Sequence, residues 1–164
     1  MATPEAVQPL SQKEKGAAIL MLLGAGLAAL GSFLPWISVS TGFGSTSRNG
    51  MEGGDGVIIL IVAILAGLAA GAPLADYKIG GFLHYSPILA AGVIATITVF
   101  DHIEIIDRID TFASEAGAFG SATVGAGIWS IYVGAAAMAL GWWNRKQAQS
   151  PTKVEPAIES GTSD

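Results

Sequence analysis

The chain has 164 residues, of which 51% are apolar and 13% charged, with a formal charge of −5 and a mean hydropathy of +0.55; ordinary soluble domains hold roughly 25% charged residues. Eight Lys and Arg against thirteen Asp and Glu, with no basic patch, argue against nucleic acid as a partner. The absence of cysteine removes disulfides, thiolate catalysis, iron–sulfur clusters and zinc–cysteine sites.

Four nearly uncharged stretches, 17–36, 57–75, 82–100 and 124–143, set the organisation. A helix of roughly 20 residues, rising about 1.5 Å per residue, crosses the ~30 Å hydrocarbon layer of a bilayer. The fold class is therefore an all-α membrane protein, a four-helix transmembrane bundle occupying 16–143. Two polar tails, 1–15 and 144–164, are too poor in large apolar groups to offset ordering entropy and are expected to be disordered and cytoplasmic.

Lys13 and Lys15 before an apolar run resemble a secretory signal. The run exceeds the usual 7–15 apolar residues and ends in Leu34-Pro35-Trp36 with no small-x-small cleavage site, so it reads as a retained first span. Gly24 and Ala28, four apart, give it a small-residue face. The loop 37–56 opens with apolar–polar alternation at Ile37, Val39, Thr41 and Phe43, which predicts a short strand. Arg48-Asn49-Gly50 is a turn signal, and together these predict a small hairpin over the outer mouth of the bundle. Asp55 stands where it would cap the second span. A calcium site using Glu52 and Asp55 has too few ligands at no recognised spacing.

The second span carries Ala63, Gly67 and Gly71 at four-residue spacing, and a short connection, 76–81, makes its neighbour antiparallel. The third span continues past the membrane as a helix to about Glu115. Ile105, Ile106, Ile109 and Phe112 form an apolar stripe there, and Glu104 and Arg108 are placed for an i,i+4 pair. That stripe needs cover from the first outer loop or from another protein. A helix lying flat on lipid is disfavoured because this segment is net acidic. In the fourth span Gly120, Gly127, Gly134 and Gly141 recur every seven residues, with Ser130 and Ala137 between them. On one helix they make a small-residue stripe for close packing, either within the bundle or against a partner.

Basic residues set the orientation. With both termini in the cytoplasm, Lys13, Lys15, Lys78, Arg145, Lys146 and Lys153 lie inside and only Arg48 and Arg108 outside, as the positive-inside rule requires. Trp36 and Trp129 then mark the outer interface and Trp142 and Trp143 the inner one. The expected location is the plasma membrane, as a multi-pass protein.

Gly31-Ser32-Phe33-Leu34-Pro35-Trp36, followed by a Gly-rich loop ending Gly54-Asp55-Gly56, resembles small four-span membrane proteins common in actinobacteria, over about residues 16–75. The resemblance implies a fold and an actinobacterial-type plasma membrane, and no activity. Claudin-like proteins share the layout but have paired loop cysteines, absent here.

No Asp, Glu, Lys or Arg lies mid-span, which disfavours a proton-coupled transporter. His84 and His102 are 18 residues apart, roughly 27 Å along one helix, too far to share a metal or haem. No strand-turn-helix serine motif or Gly-Lys-Ser/Thr loop occurs. The expectation is thus a protein that is not an enzyme, with no catalytic, cofactor-binding or metal residues. Its expected role is an accessory or scaffolding subunit of a larger membrane complex, with the lipid bilayer and other membrane subunits or a second copy as partners. Two rivals stand beside it: a lipid or small-molecule sensor with a site near Trp36, Phe43 and Trp129 between the outer loop and the bundle, and a self-assembling channel.

Overall fold

The computed structural model describes residues 9–77 and 81–150. Among the described residues, four helical stretches are long and apolar enough to cross a membrane: Gln12–Gly31, Asp55–Ala75, Gly81–Glu115 and Ala126–Gln149. Their α-helical parts are α1 (Gln12–Gly31), α3 (Asp55–Gly71), α4 (Ser86–Ala116) and α5 (Ala126–Gln149); a single turn, α2 (Gly50–Gly53), precedes α3. A three-stranded antiparallel sheet of β1 (Pro35–Thr41), β2 (Gly44–Asn49) and β3 (Gly120–Val124) has the order β2-β1-β3.

Helix α1 packs on α3 and α5, and α4 packs on the same two helices, so neighbours run α1, α3, α4, α5 and back to α1. Met21, Ile59, Ile94, Ile128, Ile131 and Met138 are wholly enclosed between them. Outward, Leu23, Leu68, Val133 and Leu140 are each more than half exposed. A surface of that kind suits hydrocarbon rather than water. Inside, the buried Thr98 hydroxyl donates to the Ile94 carbonyl (2.7 Å), and Tyr132 Oη donates to the Thr98 carbonyl (3.3 Å), so these polar groups are satisfied.

The α1–α5 contact is built on missing side chains. Gly24 lies opposite Gly134, Gly31 opposite Gly127, and Ala17 opposite Gly141, an antiparallel seven-residue register on both helices. A Cβ on Gly24 would sit 2.6 Å from the Gly134 carbonyl oxygen, and one on Gly134 would sit 2.6 Å from that of Gly24. The backbones touch here. Without a hydrophobic drive between helices in lipid, such close approach supplies the packing energy. Ala17, Gly24 and Gly31 are thus the partner line to the α5 stripe, with Ala28 beside Gly134; the four-residue spacing predicts Gly24 and Ala28 of these.

Several expectations need correction. Gly120 is the first residue of β3 and not part of α5, because Gly117, at φ 53°, ends α4 and the chain pairs with β1 before the next helix starts. The hairpin reverses at Thr41–Gly44, where Gly44 takes φ 149°, and not at Arg48-Asn49-Gly50; Asn49 instead caps α2 through Met51 N–H (3.0 Å). Asp55 is the first residue of α3, whose N-cap, Gly54 at φ 94°, makes no side-chain cap. Part of each expected tail is helical. At the N-terminal side Ser11 and Glu14 form a capping box, and Gln149 Nε2 donates to Glu14 Oε1 (3.2 Å), fastening the end of α5 to the start of α1. Residues 1–8 and 151–164 of those tails, and residues 78–80 of the connection 76–81, lie outside the described residues.

Candidate functional site

Residue alternation along the sheet builds one wall of a cleft. Cross-strand rows Thr46–Val39–Ala122 and Arg48–Ile37–Val124 fall on one face. Thr46, Val39, Ala122, Arg48 and Ile37 from these rows line a cavity of about 490 Å³. Helix α4 supplies the opposite wall with Glu104, Ile105, Arg108 and Phe112, and the floor holds Trp36, Asp55 and Asp101. The helix reaches this height because its 31 residues rise roughly 46 Å, well beyond a bilayer's hydrocarbon.

The expected apolar stripe of α4 is therefore divided. Ile105 is buried, while Ile109 and Phe112 are half-covered on the sheet side. Ile106 is 43% exposed and turns away from the cleft, because a 100° step per residue cannot keep adjacent isoleucines on one face.

Trp36 is the hinge pin of the site. It is 6% exposed, its indole N–H donates to the Gly31 carbonyl (3.0 Å), and its ring lies against the bare backbones of Gly50 and Gly127. The chain leaving β3 closes on it through Gly125 N–H donating to the Trp36 carbonyl (2.7 Å). Gly31 and Trp36 of one segment and Gly56 of the other thus come together at one junction of helices and sheet. Gly56, for instance, packs directly on the backbone of Gly50.

Two carboxyl groups face each other on the floor. Asp101, one residue past the third apolar stretch, has an Oδ2 sealed from solvent with no hydrogen-bond donor among the described residues. Burial, and then the charge and carboxyl of Asp55, push its pKa up to about 7. Arg48 and Arg108 sit on the rim, each engaged by a glutamate of its own segment: Arg48 with Glu52 at 3.2 Å and Arg108 with Glu104 at 2.6 Å. Both pairs are exposed and worth a few tenths of a kcal/mol at most. Neither arginine neutralises the floor.

The other predicted positions lie elsewhere. Gly127, Gly134 and Gly141 are spent on the α1 contact, and Ala137 meets Gly24 at its edge. Ser130 is half-buried on α5. His102 turns from the carboxylates to an aromatic group, its Nδ1 3.2 Å from Tyr132 Oη and its ring edge-on to Trp129. Of the three aromatics expected around a pocket, only Trp36 lines the cleft. Phe43 stands fully exposed at the hairpin tip, and Trp129 belongs to the His102 group. Among the described residues no three Asp, Glu or His converge as metal ligands. A groove of about 580 Å³ between α1 and α3, opened by Gly67 and Gly71, is almost wholly apolar.

Comparison with protein-family models, with characterised proteins and with solved structures finds no match to this chain. The residues themselves must carry the functional reading.

Proposed function

We propose that this is a non-catalytic, multi-pass protein of the plasma membrane, a four-helix bundle with both termini in the cytoplasm and the sheet and α4 extension forming a cap outside. The cap is its working surface. The likeness of residues 16–75 to small actinobacterial four-span proteins is part of this proposal and adds no activity to it.

One observation supports this reading above the others: the roughly 490 Å³ cleft under the sheet combines apolar walls, two arginines on the rim and two carboxyls on the floor. Binding sites are concave, mostly apolar and hold a few convergent polar groups. The cleft fits the binding of a small amphipathic molecule or lipid headgroup presented from outside. An accessory-subunit role is the second reading, favoured by Phe43 and Phe119, which stand exposed side by side at the sheet tip where Gly42 N–H donates to the Phe119 carbonyl (3.2 Å). The small-residue stripe that first suggested a partner no longer favours it, since α1 already occupies Gly127, Gly134 and Gly141.

Native mass spectrometry of the protein extracted from its own membrane in mild detergent separates the readings. A reproducible bound small molecule, lost when Ile105→Trp fills the cleft, is the expected result. A protein subunit retained instead, and lost on Phe43→Ser, would replace ligand binding with the accessory role. Orientation has its own check, made clean by the absence of native cysteine. A single cysteine at Ser45 should react with an impermeant maleimide on intact cells, whereas one at Gln147 should react only after lysis. The reverse pattern would invert the topology.

A further inference from the structure

Asp55 and Asp101 come from different elements and are 46 positions apart, yet both line the floor of the cleft where α3 begins. Asp101 Oδ2 is buried and without a donor, an arrangement that is costly for an ionised carboxylate. A proton held between the two carboxyls removes the cost, because a neutral carboxyl donates to its ionised neighbour. We propose that Asp55 and Asp101 form a proton-shared clasp that holds the start of α3 against α4 and opens the cleft when the proton leaves.

The charged groups around the pair decide which member is neutral. Asp55 sits in the first turn of α3, at the floor of the cleft. Asp101 lies mid-helix in α4, with Glu104 one turn on adding negative charge. From α5, Tyr132 is the titratable neighbour. β3 presents no titratable side chain, and across the cleft the nearest cations, Arg48 and Arg108, are held by Glu52 and Glu104. His102, next to Asp101 in sequence, turns to Tyr132 and Trp129. No free cation thus stands against Asp101 among the described residues.

The sign follows from the raised pKa. Below neutrality the pair holds one proton and the clasp is closed. As pH rises through about 7 the proton is lost, and two carboxylates confront each other in a partly dry site. Repulsion then separates the start of α3 from α4. It carries with it α2 and the β2 edge, which join α3 through Gly54 at φ 94°. The consequence for binding takes the cleft as the working site, as proposed above; the opening itself needs no ligand.

The test uses the full chain in lipid nanodiscs, with spin labels on Ser45→Cys in β2 and Ser114→Cys on α4, both exposed. Between pH 5.5 and 8.5 the label separation should lengthen with a midpoint near 7. Asp101→Asn, whose amide donates to Asp55 at any pH, should hold the short distance throughout. Asp55→Asn, donating in the other direction, should do the same and stands as the second variant if the first does not fold. A separation that stays constant across this range, a midpoint in the ordinary carboxylate range, or variants that respond like the parent would each overturn the clasp. No ligand enters this measurement, so its failure would leave the mass-spectrometric result on the cleft intact, and a cleft found empty there would leave the clasp intact.

Discussion

Gly134→Ala should loosen α1 from α5 and lower stability by about 3 kcal/mol or more, the upper end of what overpacking a close contact costs. The added methyl would lie 2.6 Å from the Gly24 carbonyl oxygen and 2.7 Å from the Ala28 nitrogen, and both neighbours are backbone atoms of a helix that cannot swing aside. Gly24→Ala should cost as much, since it strikes the same contact from the other side. Gly26→Ala, two residues away on α1, meets nothing within 4 Å and should be neutral or stabilising by up to about 1 kcal/mol. Thermal unfolding in nanodiscs, followed by near-ultraviolet circular dichroism, would show the contrast. Equal melting temperatures for Gly24→Ala and Gly26→Ala would show that the helices do not touch as described.

Trp36→Ala is the second large effect, with an expected loss of about 3–5 kcal/mol, typical of removing a buried aromatic side chain. The indole fills the space between Gly50 and Gly127, two glycines with no side chains to collapse into a void. Collapse being blocked, the cavity term should be felt in full. Trp36→Phe retains part of the packing but loses the bond to the Gly31 carbonyl, worth about 1 kcal/mol. The diagnostic is where the damage appears. Limited proteolysis from the sheet side should cut the hairpin in Trp36→Ala while the four helices stay protected by lipid. Protection of the hairpin equal to that of the parent would mean that the sheet does not depend on this anchor.

Both effects arise where helices and sheet approach closely, and their legibility in the sequence differs. The seven-residue recurrence of Gly127, Gly134 and Gly141 is a local pattern, and the matching Ala17, Gly24 and Gly31 could have been read the same way; adding the two position numbers of each facing pair gives a constant, as antiparallel packing demands. From the sequence, Trp36 is an interface ring. Its anchoring role is hidden because Gly50 and Gly127 reach its ring only once the distant segments that carry them are folded against it. The segment Gly120–Val124 has strand-like alternation, yet it abuts an apolar span, and the seven-residue spacing draws Gly120 into the helix stripe. Its pairing with β1, 79 to 87 residues earlier, is what makes it a strand.

Membrane-length helices, the heptad of small residues, the continuation of α4 past the apolar zone and the Glu104–Arg108 pair were all determined by the sequence by itself. Each depends on hydropathy or periodicity within one segment, and such quantities add up locally. Tertiary structure alone decided that the stripe is used inside the molecule, that Asp55 abandons capping to face Asp101, and that a third strand closes a cleft. Those outcomes depend on the relative height and rotation of helices distant in sequence. A slide of one residue, 1.5 Å, with its 100° turn, would part the two carboxyls and leave no trace in composition or periodicity.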